Sequence, residues 1–236
     1  MRLLTLLTVF LIHFLFVTEV QAYVPPATFI ESESMKLHNT LKNITLDGVV
    51  SDLRTQPETH YKESLHLDFL TGKLTATYVS DSEPLGTYEG SVKEIHRLGK
   101  FLITLSMDPS DNRFRQAMAE LNIVPTEKTE VSLERIGHLT TWKWGTNPSV
   151  QFLKDEFLPT DYQSGTGQTA EEVFVAEYTS SASAIRVPKS AILKLQGKDA
   201  FRYTVKAVRV NQSNKFVANP FALKSPSAKD WVTLVR

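Results

Sequence analysis

The stretch VQFLKDEFLPTDYQ, Val150 to Gln163, brings acids, a lysine and a tyrosine into close succession and is the natural place to look for proton chemistry. Two carboxylates do acid and base work only where a site separates their pKa values. Lys154-Asp155-Glu156, however, stands between two apolar pieces, Gln151-Phe152-Leu153 and Phe157-Leu158. Three polar residues between strand-like pieces form an ordinary hairpin connection, and acids at such a tip are solvated. Pro159 then fixes the start of the outgoing strand, which suits an edge or a bulge. This stretch reads as a turn.

The histidines offer no better site. His60 and His66 share one strand face, but at roughly 3.3 Å per residue they stand about 20 Å apart, too far for a common metal. His38, His96 and His138 are isolated from one another, and no H-x-x-x-H pair occurs. The chain holds no G-x-S-x-G elbow, no P-loop and no G-x-G-x-x-G. SGTGQT has the glycines of a phosphate loop but neither its lysine nor the helix that should follow. No catalytic residue, metal ligand or cofactor is assigned, and the expectation is a protein that is not an enzyme.

The elements around these residues read mainly as strands. A helix opens the mature chain, with Pro25-Pro26 before it, a capping box at Thr28 to Glu31, and Ile30, Leu37 and Leu41 on one face as far as about Asn43. HYKESLHLDF, His60 to Phe69, alternates: Tyr61, Leu65, Leu67 and Phe69 point one way, and His60, Lys62, Ser64, His66 and Asp68 the other. Thr71-Gly72 turns the chain into KLTATYV, whose Leu74, Ala76 and Tyr78 continue the apolar face. GKFLITLSM is read as another such strand, with Phe101, Ile103, Leu105 and Met107 on its dry side.

Further strands are expected at Ile44–Arg54, Thr87–Leu98, Thr129–Ile136, Leu139–Gly145, Gln151–Leu153, Phe157–Gln163, Glu171–Tyr178, Arg186–Leu195 and Phe201–Val210. One inserted helix, SDNRFRQAMAELNI, carries Phe114, Ala117, Met118 and Leu121 on one stripe and stops at Pro125. Gln163 to Thr169 reads as a loop, and Asn214 to Arg236 as an irregular tail lying over the domain.

About a dozen antiparallel strands with two helices predict a mainly β, α+β fold. Its expected form is a strongly curved antiparallel sheet, an incomplete β-barrel covered by the N-terminal helix and the inserted one. The apolar side of that sheet is the remaining candidate site, lined by Tyr61, Leu65, Leu67, Phe69, Leu74, Tyr78, Phe101, Ile103, Trp142 and Trp144. Such a face is either closed core or a cavity that accepts acyl chains. An outer-membrane barrel fits poorly, because the opposite face carries His, Lys, Asp and Ser where lipid needs apolar residues.

The ends and the composition set the compartment. Arg2, the apolar run Leu3 to Val17 and Val20-Gln21-Ala22 have the form of a signal peptide cleaved after Ala22. The run is shorter than the roughly 20 residues of a membrane span. Removing 22 of the 236 residues leaves 214, enough for a single domain, 23–236. The chain has no cysteine, so its core must hold it without disulfides or thiolate metal sites. This pattern favours the bacterial periplasm, with secretion as the alternative, and leaves no stable transmembrane segment after cleavage. Lys and Arg number 26 against 26 Asp and Glu, which gives no electrostatic footprint for nucleic acid.

The order of these parts resembles the LolA-like superfamily of outer-membrane lipoprotein-sorting and carrier proteins. The matching pieces are Lys154-Asp155 with Leu158-Pro159, then Pro188-Lys189, then Val210-Asn211 and Phe216. The resemblance implies an incomplete barrel with an apolar concavity that handles lipid or lipid-modified protein in the periplasm, as in lipoprotein sorting. Carrier members have an early arginine-containing strand, whereas the matching region here reads LTGKLTATYVSDSEPLG without that arginine, so no functional residue is carried over. Two further readings stay open: an envelope protein that binds a protein partner through the concave sheet or an edge strand such as the one holding Pro159, and a hydrolase built from scattered residues.

Overall fold

The structure, a computed structural model, describes residues 23–80, 83–180, 185–212 and 226–235. The expected signal peptide, 1–22, and Phe216 lie outside them. Eleven strands form one antiparallel sheet: β1 (Asn43–Asp52), β2 (Thr59–Asp68), β3 (Lys73–Ser80), β4 (Glu83–Ser91), β5 (Ser132–Ile136), β6 (Leu139–Gly145), β7 (Ser149–Leu153), β8 (Pro159–Ser164), β9 (Glu171–Ser180), β10 (Arg186–Leu195) and β11 (Lys198–Val210). Their order is β4-β3-β2-β1-β11-β10-β9-β8-β7-β6-β5. The sheet does not close, and β4 and β5 are its two edges. This is the incomplete barrel that the alternating strands predict.

Alternation decides which side is dry. On β2, Tyr61, Leu65 and Leu67 are buried while His60 and Lys62 are exposed, and on β3 Leu74, Ala76 and Tyr78 face the same interior. Register then carries that face from strand to strand, with Leu46 opposite Leu65 and Leu65 opposite Ala76. The single junction between strands distant in sequence is β1 with β11, where Val50 pairs with Tyr203. Asn211 fastens one end of that junction. Its Oδ1 accepts from the backbone N–H of Lys42 at 2.7 Å, and its Nδ2 donates to the Thr40 carbonyl at 3.0 Å. The strand-ending Val210-Asn211 step therefore has a positional role.

Among the described residues four helices accompany the sheet. α1 spans Ala27–Lys36 and buries Ala27, Ile30 and Ser34. Its N-cap is Pro26, and no side chain caps it, so the expected box at Thr28 does not form. α2 spans residues 97–107, beginning at Arg97–Gly99 and continuing through a π-helical stretch, Lys100–Leu105. α3 is Asp111–Glu120, capped by Ser110 as the sequence indicates. α4 is Pro226–Val235.

Two expectations are corrected here. GKFLITLSM is helical, so Phe101 and Ile103 belong to α2 rather than to a strand. Every residue from Leu98 to Asp108 is buried, which removes the wet positions that distinguish a period of two from one of 3.6. The C-terminal tail is likewise not irregular throughout: α4 buries Ala228, Trp231 and Val232 at helical spacing. The sheet is thus covered by more helix than the N-terminal and single inserted helices alone.

Candidate functional site

α2 fills the concave side. Its Phe101 ring stacks on Tyr162 of β8 with centroids 5.8 Å apart, and it packs against α3, β8 and β9. Ser106 Oγ donates to the Phe101 carbonyl at 3.1 Å, within the π-helical turn. Tyr178 of β9 donates its hydroxyl to the Pro159 carbonyl, and Ser106 Oγ lies 3.2 Å from the Tyr178 hydroxyl oxygen. Burial pushes the Tyr178 phenol well above its ordinary range, so it stays a neutral donor.

The candidate residues all enter one buried cluster. Tyr61, Leu65, Leu67 and Phe69, with Leu74 and Tyr78, supply the β2–β3 arm. Trp142 and Trp144 of β6 stand on the other arm, and Phe101 and Ile103 of α2 lie on the helix that fills the space. None of the ten exceeds 6% exposure. The two tryptophans also hold the frame: Trp142 Nε1 donates to the Lys154 carbonyl at 3.0 Å, and Trp144 Nε1 to that of Ile123 at 3.0 Å. Trp144 stacks on Phe152 at 4.8 Å.

The Lys154-Asp155-Glu156 tip is a turn, as the flanking apolar pieces require. Glu156 pairs with Arg186 at 2.9 Å, with both side chains more than a third exposed. Pro159 begins β8, an interior strand between β7 and β9, and sits where the β7–β8 register shifts. The expectation of an open edge there is overturned. The missing donor of the proline is accommodated at the bulge.

Sequence reasoning passed over Glu63. It shares the inward parity of Tyr61 and Leu65 on β2, is 2% exposed, and accepts from Trp231 Nε1 at 3.0 Å. An acid on the dry side of an alternating strand was the available signal. Asp161 is the other buried carboxylate of note. Gln151 and Gln163 both donate to its Oδ2, at 3.2 and 3.0 Å, while Oδ1 has no partner among the described residues. Burial, reinforced by Glu172, pushes its carboxyl up to about 7 against the opposing effects of Gln151, Lys194 and Lys143.

No protein-family model matches the chain, and no curated protein sequence does. Solved structures do. A domain described as an outer-membrane lipoprotein-sorting protein from Vibrio parahaemolyticus aligns at TM-score 0.50 and 9% identity, over 79% of this chain and 93% of that one. A DUF1329 family protein from Desulfovibrio piger aligns at 0.43 and 12% identity, over 81% and 96%. A LolA-superfamily protein from Nitrosomonas europaea also aligns at 0.43, at 9% identity over 81% and 96%. At these identities the likeness concerns architecture, and among the described residues no helix is long and apolar enough to cross a membrane. The eleven-stranded open sheet, with helices laid into its concave side, shares its architecture with the Vibrio parahaemolyticus domain.

Proposed function

We propose that this protein is a non-enzymatic periplasmic carrier that takes the acyl chains of a lipid or lipid-modified protein into the concave side of its sheet. One observation carries the reading: a helix with a π-helical stretch, rather than a strand or a closing barrel wall, occupies that concavity. A π-helical turn has poorer hydrogen-bond geometry than an α-helix and is frequent at functional sites. Displacing the apolar side chains of α2 exchanges one dry surface for another, so an acyl chain takes the place of Phe101 and Ile103 against Tyr61, Leu65, Leu67, Phe69, Leu74, Tyr78 and the β6 tryptophans. Outer-membrane lipoprotein sorting is the role that the resemblance supports.

The test is mass spectrometry of lipid extracted from protein purified under mild conditions, together with titration of a fluorescent fatty-acyl probe. Lipid in the extract and saturable probe binding are expected. A folded protein that yields neither overturns the carrier reading. A second reading, an envelope protein that binds a protein partner, is favoured by the edge at β5, where Leu133 is 48% exposed. An extended segment can add to such an edge, and a stable protein complex without lipid would establish it.

A further inference from the structure

The outer face of β1 to β3 is polar by alternation, with Thr45, Asp47, His60, Ser64, His66 and Thr75 on it, except along one transverse row. Val49 lies opposite Lys62, and Lys62 opposite Val79, so one transverse row places a lysine stem between two valines. Thr77 stands one row away, opposite Ser64. β11 completes the floor through a bulge. Its inward residues change from Phe201, Tyr203 and Val205 to Val208 and Val210, so Lys206 and Ala207 fall successively on the outer side. Register confirms the extra residue: Asp47 pairs with Ala207 but Gly48 with Val205. Gly48 permits this approach, since a Cβ there would lie 2.6 Å from the Thr204 carbonyl oxygen.

The result is a groove of about 370 Å³ lined by Val49, Thr77, Val79, Lys62 and Lys206, among others. That volume lies at the low end of small-molecule sites, roughly 300–1,000 Å³. Asp47 and Glu63 also belong to the groove's lining, and both have other partners. Asp47 pairs with Arg209 at 2.6 Å and accepts from Ser64 Oγ at 2.7 Å. Glu63 turns its carboxylate inward to Trp231. Lys62 and Lys206 are exposed, and neither has an ion-pair partner among the described residues. An apolar floor between two uncompensated ammonium groups is complementary to a chain with a negative head.

We propose that this groove binds a single-chain amphiphile with an anionic head, such as a monomeric long-chain carboxylate. The site is on the opposite side of the sheet from the concavity and stands independently of the carrier reading. The tail lies along Val49, Thr77 and Val79, and the head meets Lys62 and Lys206.

Because inward and outward residues alternate along each strand, a photoreactive probe distinguishes the two faces residue by residue. Undecanoate bearing a diazirine is cross-linked to the full chain and mapped by peptide mass spectrometry. Label is expected on Val49, Thr77 and Val79. It should fall by about tenfold in the Lys62→Glu/Lys206→Glu double variant, the loss expected from removing charge-assisted contacts. Both lysines are exposed, so the variant should fold, and its near-ultraviolet circular dichroism should match the wild type. Label confined to inward residues such as Tyr61 and Leu65, or unchanged in the double variant, overturns the outer site and leaves the carrier reading standing. Equal labelling by the same chain with a trimethylammonium head overturns the charge argument. Label on Val49 and Val79 in a protein that releases no lipid supports this site while the carrier reading falls.

Discussion

Trp231 donates its indole N–H to Glu63 across 3.0 Å, joining the last helix of the chain to its second strand. The same ring packs on Phe201 and Tyr203, with centroids 5.4 and 5.9 Å away, and Arg54 stacks over Phe201 while pairing with Asp52 and Asp230. α4 is therefore a seal over the β1–β2–β11 end of the interior. Trp231→Phe keeps most of the apolar contact but removes one donor from a buried carboxylate, a loss of about 1.5–3 kcal/mol for a hydrogen bond to a charged group. Trp231→Ala should cost more, roughly 3–5 kcal/mol. Urea unfolding of both variants checks the order, and equal costs would show that the indole N–H contributes nothing.

Ile103 tests the filled concavity. Ile103→Ala should destabilise the fold by about 2–5 kcal/mol through the cavity it leaves. It should also tighten the binding of a fatty-acyl probe, because the space vacated is apolar and dry. Weaker probe binding by a folded Ile103→Ala protein would argue that acyl chains do not enter beside α2.

Asp161 sets a slope in stability against pH. Its folded pKa is raised from 3.8 to about 7, so the folded state holds the proton over a window where the unfolded chain has released it. Stability therefore falls as pH rises from about 4 to about 7, by at most about 1.4 kcal/mol per pH unit, and levels off above that. Asp161→Asn should abolish this contribution and gain most over wild type at pH 8. Denaturation midpoints measured from pH 4 to 8 decide it, and identical profiles would remove Asp161 as the source.

His38 acts in the opposite sense. It is 2% exposed, its Nε2 is 2.7 Å from the Arg186 carbonyl, and burial pulls the imidazole below its ordinary 6.5. A lowered folded pKa gives stability that is present above 6.5 and lost as pH falls below it. His38→Gln should flatten the acid limb of the unfolding profile. An acid limb as steep as the wild type's would assign it to other groups.

The turn at Lys154-Asp155-Glu156 should prove inert. Asp155→Asn with Glu156→Gln removes the exposed pair with Arg186, and surface pairs of this kind contribute about 0–1 kcal/mol. Thermal unfolding and probe binding should both stay near wild type. A loss of binding with the fold intact would make the tip functional.

The parts legible in the sequence were those with one wet and one dry side. β2, β3 and β6 show it: Tyr61, Leu65 and Leu67, or Trp142 and Trp144, alternate with polar residues, and the strands lie close to where alternation puts them. The helix of 97–107 was not legible, because residues buried on all sides carry no period. α4 was masked by its Pro, Ser and Lys content, although Ala228, Trp231 and Val232 already have helical spacing. The candidate lining was legible as apolar, but what covers it was not, since that depends on where α2 lies. The outer groove depends on a bulge at Lys206, and a bulge is a matter of register between strands distant in sequence.

The strand order has a consequence for how the chain could be rewired. Each neighbour in the sheet is also a neighbour in sequence except β1 with β11. If the ends were joined and new ones opened between α3 and β5, the strands would run β5 to β11 and then β1 to β4 in a single uninterrupted meander. The one distant pairing would join consecutive strands, linked through α4 and α1, and α2 with α3 would close the chain instead of dividing it. Such a circular permutant replaces a closure that spans β2 to β10 with a shorter one that runs through α4 and α1, and by the dependence of folding rate on contact order it should reach the same sheet faster than the natural arrangement.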